Sequence, residues 1–156
     1  MRKLLLLLLL PLFLFSCSKD NSPLSIMVNV KYDGSLAAPS LVRLYNYDEL
    51  HSELMKQVND TDINNAYMYG SDLGFKLEDG TTISPDYTSD SYSGVNTLED
   101  IKAGKYYIVV MYKPDGYNFP FSWFYGYKEV IVDKSNNAAL YNCNFPRTAS
   151  GHWYNF

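Results

Sequence analysis

The chain has 156 residues, room for one domain, and carries 13 Lys and Arg against 17 Asp and Glu, a formal charge of −4. An acidic chain of this kind is not equipped to neutralise phosphates, so nucleic acid is excluded as the expected partner, as is attachment to an anionic surface by charge alone. Two histidines about a hundred positions apart and two distant cysteines supply neither a His-x-x-x-His nor a Cys-x-x-Cys spacing, and no metal or other cofactor is expected.

The N-terminus is a short basic head, Arg2 and Lys3, followed by an apolar run from position 4 to 15 that only Pro11 interrupts. That run is too short to span a bilayer comfortably and reads as a signal peptide over 1–16, with the small residue Ser16 placed just before Cys17. Leu14-Phe15-Ser16-Cys17 resembles the lipobox of bacterial lipoproteins, which implies cleavage before Cys17 and attachment of acyl chains there. Each buried methylene then contributes about 0.8 kcal/mol to anchoring. Loss of Arg2 and Lys3 leaves 11 basic side chains against 17 acidic, a formal charge of −6. Residues 17–24 form the lipidated cysteine and a polar tether. The Ser-Lys-Asp run after Cys17 resembles lipoproteins of the Bacteroidota, which implies a lipid-anchored outer-membrane protein, exposed at the surface or facing the periplasm. The membrane is then the expected partner, held through Cys17.

A single β domain is expected over 25–156. In 25–32, Ile26, Val28 and Val30 alternate with Ser25, Met27 and Asn29, the pattern of a half-buried strand, which ends at Asp33-Gly34. Residues 35–40 contain Pro39 and are not expected to pair regularly. A strand over 41–47 sets Val42 and Leu44 against Leu41, Arg43, Tyr45 and Tyr47. Leu50, Leu54, Met55 and Val58 then fall at helical spacing, so 48–58 is an amphipathic helix, with Asn46 and Glu49 as a capping pair. Short strands follow at 66–69 and 74–77, and Asp79-Gly80 turns the chain back along 81–83. The polar stretch 84–93 reads as a loop tip.

The stretch 94–112 organises the rest. Tyr106, Ile108, Val110 and Tyr112 fall on one face of an extended chain, and Tyr107, Val109 and Met111 on the other. A strand apolar on both sides belongs inside a sheet, with a core on one face and cover on the other. Leu98 and Ile101 are spaced to plug the end of a sandwich, and Ala103-Gly104 offers a break for positive φ. Later strands are expected over 127–133 and 138–145 as a hairpin around 134–137, with Cys143 buried and inert in Tyr141-Asn-Cys143-Asn-Phe145. The terminal Trp153-Tyr154-Asn155-Phe156 is too aromatic for a discarded tail.

These elements describe an all-β, antiparallel sandwich with one short inserted helix. The order Val28-Asn-Val30-Lys-Tyr-Asp33-Gly34, then Val42-Arg-Leu44-Tyr45, then Leu98-Glu-Asp100-Ile101-Lys-Ala103-Gly104-Lys-Tyr106 resembles the immunoglobulin-like and transthyretin-like, or carboxypeptidase-regulatory-like, sandwiches. Lys102 stands where that pattern commonly has proline, and the insertion over 48–65 is longer than in simple members. Nothing catalytic is carried over, and an enzyme is not expected.

The remaining candidates are weak or aromatic. His51 and His152 read as solvated surface residues. Asp60, Asp62 and Asn64 alternate as in a Ca²⁺ loop, but Asn65 and Ser71 occupy the positions where glycine and a bidentate glutamate are needed. In 117–127, Tyr117, Phe119, Phe121, Trp123 and Tyr125 alternate, and Pro120 disfavours a central strand. Exposed aromatic faces stack on sugar rings or anchor a protein partner, so Tyr117, Trp123 and Tyr125 are the candidate ligand-binding residues; closure of the sandwich core is the competing use. The expected function is a non-catalytic binding or adhesion module for glycan or protein. The alternative is a fimbria-associated subunit assembling by strand exchange through 152–156.

Overall fold

The computed structural model describes residues 23–59, 75–77, 79–114, 123–149 and 152–156. The expected signal peptide, Cys17, the calcium-like loop, the strand at 66–69, and Tyr117, Phe119 and Phe121 lie outside them.

In chain order the elements are β1 (Leu24–Tyr32), β2 (Ser35–Leu36), β3 (Ser40–Asn46), α1 (Tyr47–Asn59), β4 (Phe75–Lys76), β5 (Thr82–Ile83), β6 (Tyr87–Ser91), β7 (Val95–Ile101), β8 (Gly104–Tyr112), β9 (Phe124–Val132), β10 (Ala139–Phe145) and β11 (Trp153–Asn155). The smaller sheet runs β10–β1, with β7 along the first half of β1's other edge and β2 along its end. The larger sheet runs β11–β9–β8–β3–β6, and β4 pairs with β5 as a separate hairpin. The result is the all-β sandwich with one short helix that the sequence predicts.

Alternation sets which side chains meet between the sheets. Ile26, Val28 and Val30 of β1 are fully buried there against Val42, Leu44, Ile108, Val110, Val132 and Phe145. Each such aliphatic side chain contributes about 1.5–3 kcal/mol when removed from water. Leu98 and Ile101 join this core as the plug expected of them. A polar tie crosses it, with Asn96 Nδ2 of β7 donating to Ser40 Oγ of β3 at 2.9 Å.

The opposite face of β8 is covered as well. Tyr107, Val109 and Met111 pack with Tyr45 and Tyr125 beneath Leu50 and Leu54 of α1 and Phe75 of β4, forming a second core outside the sandwich. Asn46 Oδ1 accepts from the Asp48 N–H at 3.0 Å and caps the helix, and Asp48 and Glu49 sit in its first turn, where the helix dipole favours negative charge.

Turn chemistry explains the connections. Asp33 and Gly34 take φ of 51° and 84°, the backbone of a two-residue hairpin turn whose twist matches its strands. The pairing of Ser35 and Leu36 with β1 that follows is regular, contrary to expectation, but lasts two residues. Beyond Ile101, the Tyr106 hydroxyl reaches back to donate to the Lys102 carbonyl at 2.9 Å, locking the corner into β8. Positive φ falls on Asp100 (56°) rather than on Gly104. Gly104 is needed for space instead, since a Cβ there would lie 3.1 Å from the Tyr106 ring.

Two expectations are corrected. The stretch 84–93 is not wholly a loop tip, because β6 pairs with β3 at the sheet edge. Tyr-Thr-Ser-Asp-Ser lacks apolar alternation because an edge strand needs little of it. The second concerns β10, which is parallel to β1 in the other sheet and is not the hairpin partner of β9. Asp133 Oδ1 accepts from Ser135 N and Oγ at 2.8 and 2.6 Å, and Asn136 Oδ1 accepts from Asp133 N at 2.8 Å. This capped turn redirects the chain across the sandwich, where Ala138 N donates to Ser25 O at 2.8 Å. The pairs β1–β10 and β9–β11 are therefore parallel within a mainly antiparallel fold.

Candidate functional site

The aromatic residues of β9 and β11 form the most distinctive surface of the larger sheet. Alternation sends Tyr125 and Tyr127 outward from β9, and β11 brings Trp153 into register with Tyr125 and Asn155 with Tyr127. The ring of Trp153 lies 5.5 Å from Tyr125, 6.0 Å from Tyr127 in an edge-on contact and 6.2 Å from Phe75. Between the two tyrosines, Gly126 allows the smaller sheet to approach, because a Cβ would lie 2.9 Å from Cys143 Sγ and 3.1 Å from the Phe145 ring.

The candidate residues divide. Trp123 is half-buried beside this cluster, with the Lys113 ammonium 5.9 Å from its ring centre, a loose cation–π contact. Tyr125 is 6% exposed and belongs to the second core, and burial pushes its phenol up to about 12. Its ring is packing, not binding surface. Tyr117 lies outside the described residues. The half-buried faces of Tyr127 and Trp153 take the place that Tyr125 was expected to fill, and the alternation of Trp153 with Asn155 in the terminal segment is the signal that points to them.

A polar network borders the cluster on the α1 side. His51 is not the solvated residue expected: its Nδ1 lies 2.7 Å from the Tyr107 hydroxyl, and its ring stacks on Tyr47 at 4.7 Å. The Lys105 ammonium sits 3.3 Å above the Tyr47 ring and pairs with Glu129 at 2.8 Å. Burial, reinforced by Tyr47 and Glu129, pushes the Tyr107 phenol well above its usual range, while the bond to Glu129 raises Lys105. The arrangement fastens the first turns of α1 to β8. Among the described residues it contains no nucleophile, base and orienting acid in a row, and His152 is exposed.

Cys143 is fully buried, and burial pushes its thiol upward against the opposing effect of Lys128, which suits the inert role expected of it. Among the described residues, no three His, Cys, Asp or Glu side chains gather as a metal site would require. Nor is any helix among them long and apolar enough to cross a membrane.

The site's position follows from strand register. β1 begins at Leu24 opposite Ile101, beside the corner where β8 starts, whereas β8 ends at Tyr112 opposite Phe124. The β8–β9 connection, which carries the aromatic run, therefore starts and ends on the sandwich at the end away from the start of β1. At ~3.3 Å per residue the nine-residue β8 separates the two ends by about 26 Å. Tyr32, Tyr112 and Phe124 close that far end, with ring centres 5.2 to 6.1 Å apart.

No protein-family model and no curated protein matches the sequence. Among solved structures, the chain is similar to the backbone protein of pilus 2b from group B streptococcus, at 17% identity and a TM-score of 0.34. That alignment takes in 79% of this chain and 40% of the pilus protein, so the chain spans about two fifths of that protein's length.

Proposed function

We propose that the chain is a non-catalytic, lipid-anchored envelope module of transthyretin-like type, held in the outer membrane through Cys17, that presents its aromatic β8–β9 connection to a glycan or protein ligand. The observation that carries this reading is the opposition of the two ends. Tether and aromatic connection leave the sandwich about 26 Å apart, as a module that binds away from its membrane requires. From Cys17 to Leu24 seven residues reach at most about 25 Å, so the start of β1 is the part of the domain held within that distance of the bilayer. Trp123, half-buried at the base of the connection, is the described residue best placed to contribute a ring face.

The alternative of assembly by exchange of 152–156 assigns that role to a segment paired with β9 of its own chain over Trp153–Asn155. Exchange would first have to break that pairing and expose Trp153.

The address is tested by detergent partitioning. The wild-type protein is expected in the detergent phase and Cys17→Ala in the aqueous phase; partitioning unaltered by the substitution would refute lipid anchoring. Protease treatment of intact cells then distinguishes an outward-facing from a periplasm-facing domain.

A further inference from the structure

Among the described residues, one large side chain stands apart by its exposure. Tyr92 is 89% exposed, whereas the next large apolar side chain, Ile131, reaches 56%. Every other described tyrosine is buried or partly buried.

Tyr92 lies in the turn from β6 to β7, which crosses from the larger sheet to the smaller, and that turn is held from both sides. Ser91 Oγ accepts from the Ser93 N–H at 3.1 Å, Ser93 Oγ accepts from the Val95 N–H at 3.3 Å, and the two hydroxyl oxygens lie 3.0 Å apart. Gly94 takes φ of 78°, and its carbonyl accepts from Val30 N at 2.7 Å. It is pressed onto the smaller sheet so closely that a Cβ would lie 2.9 Å from the Ala37 backbone. A fixed turn therefore presents a ring that the fold leaves uncovered, and a ligand meeting it does not have to order the backbone first.

Register places this ring at the end of the sandwich that carries Trp123. Ser91, Ser40, Tyr112 and Phe124 form one row across β6, β3, β8 and β9, the last row of the larger sheet at that end. Tyr92 and Trp123 each stand one residue beyond it. Three strand spacings make the row about 14 Å long, a separation bridged by an extended chain of sugars rather than by one ring.

We propose that Tyr92 is a ligand contact of that end, its ring stacking on one sugar of an oligosaccharide that runs across the row toward Trp123; this rests on that end being the ligand-binding one, and narrows the ligand to a glycan. The chemistry beside the ring favours sugar. Ser91 and Ser93 each accept a backbone N–H, and only one of their two hydroxyls can donate to the other, so one O–H proton is left for an outside acceptor. A sugar offers both an apolar ring face for the phenol and oxygens to take that proton. A protein anchor works where surrounding contacts exclude water, whereas the neighbours of Tyr92 along the turn are Asp90, Ser91, Ser93 and Gly94.

The test applies the detergent-purified full chain to immobilised glucan, mannan, xylan and chitin hexasaccharides, with thermal unfolding recorded for every variant. Tyr92→Ala and Tyr92→Leu should each weaken retention of the hexasaccharide that the wild type binds by about fivefold or more, while Tyr92→Phe, which keeps the ring, stays within about twofold. So exposed a side chain should leave the unfolding midpoint unmoved in all three. Trp123→Ala separates this contact from the reading it rests on. Loss with Trp123→Ala but not with Tyr92→Ala would overturn the Tyr92 contact alone, and loss with Tyr92→Ala but not with Trp123→Ala would uphold it while removing Trp123. Retention of no hexasaccharide by the wild type, Tyr92→Phe as weak as Tyr92→Ala, or a protein ligand in place of a glycan would also overturn it.

Discussion

At the scale of single residues, the buried polar atoms are unevenly served. Arg43, 1% exposed, has its guanidinium engaged by Asp90 and by the Val42 and Ser89 carbonyls. Tyr45, fully buried on the same strand, has a hydroxyl with no hydrogen-bond partner among the described residues, and burial pushes its phenol far above the usual value. A buried donor left unsatisfied costs about 1–3 kcal/mol. Tyr45→Phe keeps the ring and removes that cost, so it should leave stability unchanged or raise it by about 1 kcal/mol, read as an equal or higher denaturant midpoint at constant slope. A loss of more than ~1 kcal/mol would mean the hydroxyl is bonded. Neither feature is visible in sequence: Leu-Val-Arg-Leu-Tyr reads as plain alternation, and only the second core outside the sheet buries Arg43 and Tyr45.

Between elements, the two sheets come close together at Gly126. Gly126→Ala places a methyl group 2.9 Å from Cys143 Sγ and 3.1 Å from the Phe145 ring, an overpacking expected to cost about 1–3 kcal/mol. Cys143→Ala removes the sulfur, so the double variant should be more stable than the two single costs predict, a coupling of about 0.5–2 kcal/mol in a double-mutant cycle. Strict additivity would contradict the contact. The contrast between what was and was not legible also sits at this scale. β1 and β8 were readable because both faces of each strand follow from period-two alternation, and the Leu98/Ile101 plug because these are the apolar residues of an otherwise polar corner. The placement of β10 was not, because a strand's apolar pattern fits either sheet, and the choice is made by the capped turn at Asp133 and Asn136. For the candidate site, alternation correctly grouped Trp123 with Tyr125 but could not distinguish a face turned to water from one under α1 and Phe75. By alternation alone Tyr125 reads as surface or as core, and burial decides for the core.

Across the whole molecule, phenols bind the layers together and set its alkaline limit. Tyr106 and Tyr125 are both pushed up to about 12, the first by burial and then by Tyr87, the second by burial alone, from a usual value of 10.0. Tyr45 and Tyr107 shift in the same direction. In this window the unfolded chain binds fewer protons than the folded one, so stability falls as pH rises. The contribution is fully present below pH 10 and is lost progressively between 10 and 12. The denaturant midpoint is therefore expected to hold steady from pH 8 to 9.5 and then decline steeply, with ionisation of these tyrosines tracking unfolding. A flat midpoint to pH 12 would contradict the buried placement of the phenols. The same layering gives the molecule two unlike ends, one where β1 and β8 begin and the other closed by Tyr32, Tyr112 and Phe124.

Whether the end carrying Trp123 binds is decided by one comparison: the detergent-purified protein and its Trp123→Ala variant applied to an array of glycans and surface proteins, with thermal unfolding recorded for both. The account predicts a ligand retained by the wild type and weakened about tenfold or more in the variant, at unchanged fold. Equal binding by the two proteins would contradict it and remove Trp123 from the site.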